Sequence, residues 1–188
     1  MKNKNRNGWC KHTLRTTGNT DFRTWLTDRG SLTGRLQALG SFSVVLLNQR
    51  LSKPTDDEAA ELGLERAQLA WIREVALFLD GRPVVFAHTV LARHPRGPMI
   101  RWLERLGNRS LGALLFAHPR FLRGPLVTRR LDRRHALYTP SIAALQLADV
   151  PPRGLWARRS RFSFGEQSIL VTEVFSPAVS KFRSTRQD

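Results

Sequence analysis

The sequence predicts an α+β fold, a single domain in which helices surround one antiparallel β-sheet. Two segments have a strand–turn–strand pattern, one over 71–91 around Asp80-Gly81 and one over 155–175 around Gly165-Glu166. The helical segments do not alternate with single strands, as a parallel sheet would require. The length of 188 residues, of which 41% are hydrophobic, fits one domain with a full core.

The elements expected before the first hairpin are a helix from Thr20, a helix after Ser31 that stops at Gly40, a strand over 42–47 and a helix over 56–62. Thr20 and Ser31 are typical N-cap residues, and each precedes apolar side chains at helical spacing. The strand has apolar residues on both faces, so we expect it to be well buried.

The elements expected between the hairpins are a helix from Gly97 to Gly107 and a helix over 111–116 that Ser110 caps. Residues 117–153 have the weakest pattern, because Pro125 and Pro140 interrupt it. A strand over 126–131 and a helix over 142–147 are the elements expected there.

The domain is expected to cover residues 20–180, between a basic mobile tail over 1–19 and a short C-terminal tail over 181–188. The N-terminus is polar and basic, without the apolar segment of a secretory signal. The longest apolar runs are far shorter than the roughly 20 residues that span a bilayer. The lone cysteine, Cys10, excludes an internal disulfide. We therefore expect a cytoplasmic protein without an integral membrane segment.

The net charge of +16 favours contact with anions of several kinds. The simplest interpretation is a solvated, arginine-rich surface, which would also attract a small anionic substrate. A nucleic-acid-binding protein is a weaker alternative. Aromatic residues do not interleave with the basic ones, and no recognised nucleic-acid motif is present, so we expect no specific nucleic-acid partner.

The common catalytic and cofactor motifs are absent from the sequence. It has no glycine-rich phosphate loop and no nucleophile elbow. The five histidines are scattered without the spacing of metal ligands. His88 lies within a predicted strand, where a hydrogen-bonded structural histidine is the better interpretation.

Two charged residues occupy positions that a strand normally gives to apolar side chains. Alternation along the strands places Arg73 on one face with Val75, and Glu173 on one face with Val171. A buried charge is costly unless it is paired or binds a ligand. Three interpretations remain open: a buried Arg73–Glu173 ion pair, a sheet whose two faces are exchanged, or a pocket that binds an anion at Arg73 and a polar group at Glu173.

Backbone N–H groups at Leu111 and Gly112, just after the candidate cap Ser110, offer a further anion contact. The signal is weak by itself, because every helix has such an end.

Four segments of the chain, and the order in which they occur, resemble those of a known family. These segments are Trp25-Leu26 with Ser31-Leu32-Thr33, Trp71-Ile72-Arg73-Glu74 running into Asp80-Gly81, Leu106-Gly107-Asn108-Arg109-Ser110-Leu111-Gly112 with Leu115-Phe116, and Gly154-Leu155-Trp156-Ala157-Arg158-Arg159-Ser160 followed by Leu170-Val171-Thr172-Glu173-Val174-Phe175. They cover most of residues 22–178, and the tail over 1–19 lies outside the match. On these segments the chain resembles the chorismate pyruvate-lyase family.

The resemblance implies loop flaps over an internal pocket, and a lyase that acts without metal or cofactor. Such an enzyme splits chorismate into 4-hydroxybenzoate and pyruvate, the first step of ubiquinone biosynthesis. By the same resemblance, Arg73 and the Leu111 backbone hold the ring carboxylate, Glu173 lies near the ring hydroxyl, and Leu32 takes a flap position that holds methionine in another member. We expect a monomer.

The second carboxylate of chorismate, on its enolpyruvyl group, needs another cation. Arg158 is a candidate because it alternates onto one strand face with Trp156, whereas Arg159 and Arg161 lie on the other face. For each of these arginines, however, a surface position is the simpler interpretation.

A further alternative for the whole chain is a non-enzymatic sensor of small anions, since effector-binding domains of some transcription regulators share the fold. The segment before the first helix is short, so we expect no DNA-binding module of the kind that such a regulator needs.

Overall fold

The computed structural model describes residues 8–11, 20–65, 67–92, 105–149 and 151–182. The helices in these ranges are α1 (Thr20–Thr27), α2 (Leu32–Gln37), α3 (Asp56–Leu62), α4 (Leu111–Ala117), α5 (Tyr138–Ala144) and a 3₁₀ helix (Pro177–Lys181). The strands are β1 (Phe42–Ser52), β2 (Ala70–Leu79), β3 (Arg82–Ala92), β4 (Leu122–Arg123), β5 (Val127–Leu131), β6 (Leu155–Phe164) and β7 (Gln167–Phe175). No helix within these ranges is long and apolar enough to cross a membrane.

One antiparallel sheet of seven strands organises the described part of the chain, as the sequence predicts. The strand order is β1-β2-β3-β7-β6-β4, and β5 also pairs with β6. The short strands β4 and β5 therefore share one side of β6, at different points along its length. A front face packs against α1 and α2, and a back face packs against α3 and α5.

Both predicted hairpins are confirmed. Asp80 and Gly81 have φ values of 50° and 73°, the left-handed conformations that a two-residue turn requires between twisted strands. Gly165, with φ of 56°, turns the chain between β6 and β7. These turns set the register of each strand pair, and hence which side chains lie opposite one another.

Strand β1 is longer than predicted and less buried. It pairs with β2 alone and forms one edge of the sheet. Val45 and Leu47 are 42% and 46% exposed, whereas Val44 and Leu46 pack against the front core. The expectation of a well-buried strand was wrong because an apolar run does not reveal whether both of its faces are covered.

The predicted starts of α2 and α3 agree with the structure. Ser31 caps α2, since its Oγ accepts from the Gly34 N–H at 3.2 Å. The Thr55 N–H donates to Glu58 Oε2 at 3.0 Å at the start of α3. Helix α2 ends at Gln37, shortly before the predicted stop at Gly40.

The segment over 117–153 differs from the prediction in one helix. Strand β5 occupies 127–131, as expected, but α5 begins at Tyr138 instead of residue 142. Pro140 lies in the first turn of α5, where a backbone N–H has no partner within the helix. It therefore does not interrupt the segment. Most of the helix predicted from Gly97 to Gly107 lies outside the described residues.

Residues 8–11, which the sequence assigns to a mobile tail, pack on the domain. Trp9 is only 4% exposed, and its indole N–H donates to Asp57 Oδ2 at 2.9 Å. Cys10 forms an antiparallel bridge with Thr128 on β5. The guanidinium of Arg159 lies 4.0 Å from the centre of the Trp9 ring. The expected mobility therefore does not hold for these four residues.

Candidate functional site

A cavity of about 50 Å³ lies between the front face of the sheet and helices α2 and α4. The four residues singled out in the sequence, Leu32, Arg73, Leu111 and Glu173, all line it. Arg73 and Glu173 come from β2 and β7, while Leu32 and Leu111 begin α2 and α4. Apolar neighbours such as Val75 make most of the remaining wall, so charges in the cavity are only weakly screened by water.

Arg73 is 3% exposed and is held by uncharged acceptors. Its Nη1 donates to Gln49 Oε1 at 2.8 Å, and its Nη2 donates to the carbonyls of Gly107 and Arg109 at 2.7 and 3.1 Å. Burial lowers the pKa of Arg73, but an arginine remains protonated at neutral pH. No carboxylate of the described residues forms a salt bridge with Arg73. Its positive charge is therefore suited to an anionic ligand.

Glu173 pairs with Arg158, which excludes the Arg73–Glu173 ion pair left open by the sequence. The two residues lie opposite each other on β7 and β6, and Arg158 Nε donates to Glu173 Oε2. Arg158 Nη1 also donates to the carbonyls of Trp25 and Asp28, at 2.7 and 2.8 Å. Arg158 is 1% exposed, so the surface interpretation was wrong for this residue.

The neighbouring arginines on β6 face away from the cavity, as predicted, but they differ in burial. Arg159 is 2% exposed, so a surface position was wrong for it too, whereas Arg161 is exposed. Arg159 donates to Thr172 Oγ1 at 2.8 Å and to Asp57 Oδ2 at 2.7 Å on the back face.

Arg123 also lines the cavity, and the sequence interpretation missed it. It belongs to β4 and lies opposite Phe162 on β6. Its Nε donates to Ser160 Oγ at 3.0 Å, and its guanidinium carbon lies 5.3 Å from the ring centres of both Phe116 and Phe162. Burial lowers the pKa of Arg123, and the charge of Arg158 lowers it further. The only sequence signal was an arginine within the stretch over 117–153, where the sequence pattern is weakest.

Helices α2 and α4 meet where they cover the cavity. Thr33 Oγ1 and Ser110 Oγ are hydrogen-bonded at 2.5 Å. A Cβ atom placed on Gly112 would lie 2.9 Å from Thr33 Oγ1, closer than real side chains pack. Glycine at 112 therefore permits the close approach of the two helices.

A row of polar side chains crosses the back face directly behind the cavity. Glu74, His88, Thr172 and Arg159 lie opposite one another in register on β2, β3, β7 and β6. His88 Nδ1 lies 3.0 Å from Glu74 Oε1, and its Nε2 lies 3.3 Å from Oε1 of Glu58 on α3. Burial by itself would lower the pKa of His88, but the two carboxylates outweigh it and raise the pKa to about 9. The prediction of a structural histidine is confirmed.

Among the described residues, no group of three or more His, Cys, Asp or Glu side chains could hold a metal ion.

A comparison with protein-family models identifies the family of this chain. The family model described as "Chorismate lyase" matches residues 4–184. The chain belongs to the chorismate lyase family. The match begins at residue 4, so most of the tail lies inside the family's range, contrary to the expectation that residues 1–19 lie outside it.

Two proteins from bacteria are close relatives of this chain in sequence. A protein of Aromatoleum aromaticum named "Probable chorismate pyruvate-lyase" is 50% identical over 173 residues, which are 91% of this chain and 92% of the relative. A protein of Dechloromonas aromatica with the same name is 48% identical over 159 residues, 84% of this chain and 88% of the relative.

Solved structures share the fold at low sequence identity. The effector domain of PhnF from Mycobacterium smegmatis has a TM-score of 0.54 at 20% identity, with 79% of this chain and 89% of that chain covered. The C-terminal domain of the histidine utilization repressor from Pseudomonas syringae has a TM-score of 0.53 at 11% identity, with 79% and 98% covered. These likenesses show the fold alone.

Proposed function

We propose that the chain is a chorismate pyruvate-lyase, which converts chorismate into 4-hydroxybenzoate and pyruvate as the first step of ubiquinone biosynthesis. One observation carries the proposal. The residues that the family resemblance assigns to the ligand, Leu32, Arg73, Leu111 and Glu173, surround a single cavity. The proposal includes a monomer that acts in the cytoplasm on a diffusible substrate, and light scattering of the purified protein tests the monomer.

The reaction needs orientation more than strong chemistry. Chorismate carries a carboxylate on a non-aromatic ring and a second one on its enolpyruvyl group. Cleavage of the C3–O bond releases the enol form of pyruvate, and loss of the C4 hydrogen as a proton makes the ring aromatic. Because aromatisation favours the product, a protein that holds the ring and the departing group in place supplies much of the rate.

Arg73 is the residue that we propose binds the ring carboxylate. Its two Nη atoms are fixed by Gln49 and by the carbonyls of Gly107 and Arg109, so the guanidinium is already in position before a ligand arrives. No described residue accepts from Nε, which leaves that N–H for the carboxylate. The backbone N–H of Leu111, at the start of α4, is the second donor in this proposal.

Glu173 is the residue that we propose meets C4 and its hydroxyl group. Its Oε2 accepts from Arg158, and the described contacts leave Oε1 for the ligand. A carboxylate fixed in this way can accept a hydrogen bond from the 4-hydroxyl group or take the C4 proton as a general base.

The apolar part of the cavity excludes water and holds the ring. Leu32, Leu77 and Leu115 contribute to this wall, and each is buried. Leucine at 32 in place of methionine keeps a similar apolar volume, so we expect packing on the ligand to be retained. Such a closed site also retains its aromatic product, so we expect product release to be slow.

An anion-sensing domain is the second candidate function, favoured by the fold that the chain shares with the PhnF effector domain. A sensor binds chorismate or 4-hydroxybenzoate in the same cavity but releases no pyruvate. Turnover, not binding, therefore separates the two functions.

Incubation of the purified protein with chorismate and a metal chelator tests the proposal. Chromatography should detect 4-hydroxybenzoate and pyruvate in equal amounts, in catalytic excess over the protein and above a control without protein. Binding without product formation would replace the lyase with the sensor. Neither binding nor turnover in a folded sample would contradict both functions.

A further inference from the structure

The proposed function leaves one charge of the substrate without a partner. Chorismate brings two carboxylates into the cavity, and Arg73 accounts for the one on the ring. A carboxylate that leaves water for an apolar site needs a cation or several hydrogen bonds in return. The inference that follows rests on the proposed function and concerns the enolpyruvyl carboxylate.

The candidate from the sequence, Arg158, already binds protein groups through its Nε and Nη1 atoms. Its Nε is paired with Glu173, and its Nη1 donates to two carbonyls of the α1 region. With 1% of its surface exposed, it has little freedom to turn towards a ligand. Pairing with Glu173 also cancels its charge.

Arg123 is only partly buried, and no described carboxylate forms a salt bridge with it. Its described partners are uncharged: Ser160 Oγ accepts from Nε, and the Arg29 carbonyl accepts from Nη1. None of the described carboxylates lies within 4.0 Å of it. The rings of Phe116 and Phe162 flank its guanidinium and fix its plane. Arg123 is thus a positioned cation at the cavity wall whose charge is not cancelled by a carboxylate.

The strand order separates Arg73 and Arg123, the two cations available to a ligand, in space. Across the sheet, Arg73 lies on β2, Glu173 on the central β7, and Arg123 on β4 at the far edge. The carboxylate that would meet the C4 hydroxyl therefore lies between two cations. We infer that Arg123 binds the enolpyruvyl carboxylate of chorismate, so that the two acid groups of the substrate are held from opposite sides of the cavity.

This role makes Arg123 a residue that distinguishes substrate from product. 4-Hydroxybenzoate keeps the ring carboxylate and the hydroxyl group but has no enolpyruvyl group. Arg123 therefore stabilises bound chorismate and contributes nothing to the binding of 4-hydroxybenzoate. A residue that only supports the structure would affect both ligands alike.

The test compares the KM for chorismate with the Kd for 4-hydroxybenzoate in Arg123→Gln. A charged hydrogen bond lost to a carboxylate corresponds to a rise of about 10- to 100-fold in KM. The Kd for 4-hydroxybenzoate, measured by calorimetry, should stay within about twofold of the wild type, which also shows that the site is folded. Arg123→Lys keeps the charge and should recover part of the loss. Arg120→Gln, an exposed arginine of the same segment, is the matched control and should change neither constant.

If Arg123→Gln weakens the binding of chorismate and of 4-hydroxybenzoate equally, or leaves the KM for chorismate unchanged, the role of Arg123 is overturned. Failure of the proposed function is a separate outcome. If the wild type binds chorismate without splitting it, the same comparison is made with two Kd values. A selective loss of chorismate binding in Arg123→Gln then still supports the carboxylate contact, and an equal loss still overturns it. A wild type that binds neither compound would overturn both proposals.

Discussion

Arg158 lies directly opposite Glu173 on the neighbouring strand, and its Nε donates to Glu173 Oε2 inside the cavity. The Nη1 atom of Arg158 donates to the carbonyls of Trp25 and Asp28 and so connects the end of α1 to the sheet. The pair therefore does two things at once. It fixes the direction of the cavity carboxylate, and it joins a covering helix to the strands.

Arg158→Gln should destabilise the protein and impair catalysis together. Removing one partner of a buried ion pair typically costs about 3–5 kcal/mol, and the partial exposure of Glu173 places this pair near the lower end. Urea unfolding measures the loss, and Arg153→Gln at an exposed arginine is the control. A free energy of unfolding within about 0.5 kcal/mol of the wild type, the usual range for surface substitutions, would contradict the account of this pair.

Glu173→Gln separates the two roles proposed for the carboxylate. The amide can still contact the 4-hydroxyl group but cannot take a proton. If Glu173 is the base, kcat should fall by about 100-fold or more, while 4-hydroxybenzoate still binds. Glu166→Gln, at the exposed turn of the same hairpin, is the control. Near-normal kcat in Glu173→Gln would leave only a positioning role.

Much of this site could be predicted from local sequence patterns. Alternation along the strands placed Arg73 and Glu173 on faces that do line one cavity. The turn at Gly165 also fixes which residues of β6 and β7 lie opposite each other. Counting outward from that turn along β6 and β7 places Arg158 opposite Glu173.

Contacts between segments that are distant in sequence could not be predicted in this way. Arg123 reaches the cavity because β4, only two residues long, pairs with the far end of β6. Trp9 stands alone among polar residues, so no periodic pattern indicated that it would be buried against Asp57 and Arg159. Such pairings depend on the packing of the whole domain and not on local propensity.

His88 should make stability depend on pH in the alkaline range. Its pKa is raised from 6.5 to about 9, so the folded state binds the proton more tightly than the unfolded state does. The stabilisation is therefore complete below pH 6.5 and is lost as the pH rises through about 9. The difference corresponds to about 3 kcal/mol.

Urea unfolding at several pH values measures this effect. The wild type should lose stability between pH 6.5 and 9, and His88→Gln should remove most of that slope. A slope that persists unchanged in His88→Gln would show that other groups cause it.

Gly112→Ala should loosen the contact between the two helices that cover the cavity. The new methyl group would meet Thr33 Oγ1 and disturb the Thr33–Ser110 hydrogen bond. We expect the Kd for 4-hydroxybenzoate to rise by up to about 10-fold, as for the loss of one hydrogen bond, mainly through faster dissociation. Gly34→Ala in α2 adds a methyl group with only ordinary contacts and is the control. Equal Kd values in the two variants would argue against a role for this close approach.

The most direct test of the central claim, that the ligand's ring carboxylate binds at Arg73, is the Arg73→Lys variant. Lysine keeps the positive charge but cannot reproduce the contacts of the guanidinium to Gln49, Gly107 and a carboxylate. Turnover of chorismate and binding of 4-hydroxybenzoate are measured beside thermal unfolding, with Arg50→Lys on β1 as an exposed control. We predict that Arg73→Lys remains folded while both turnover and product binding fall by about 10-fold or more. Wild-type turnover with an unchanged melting profile would contradict the account.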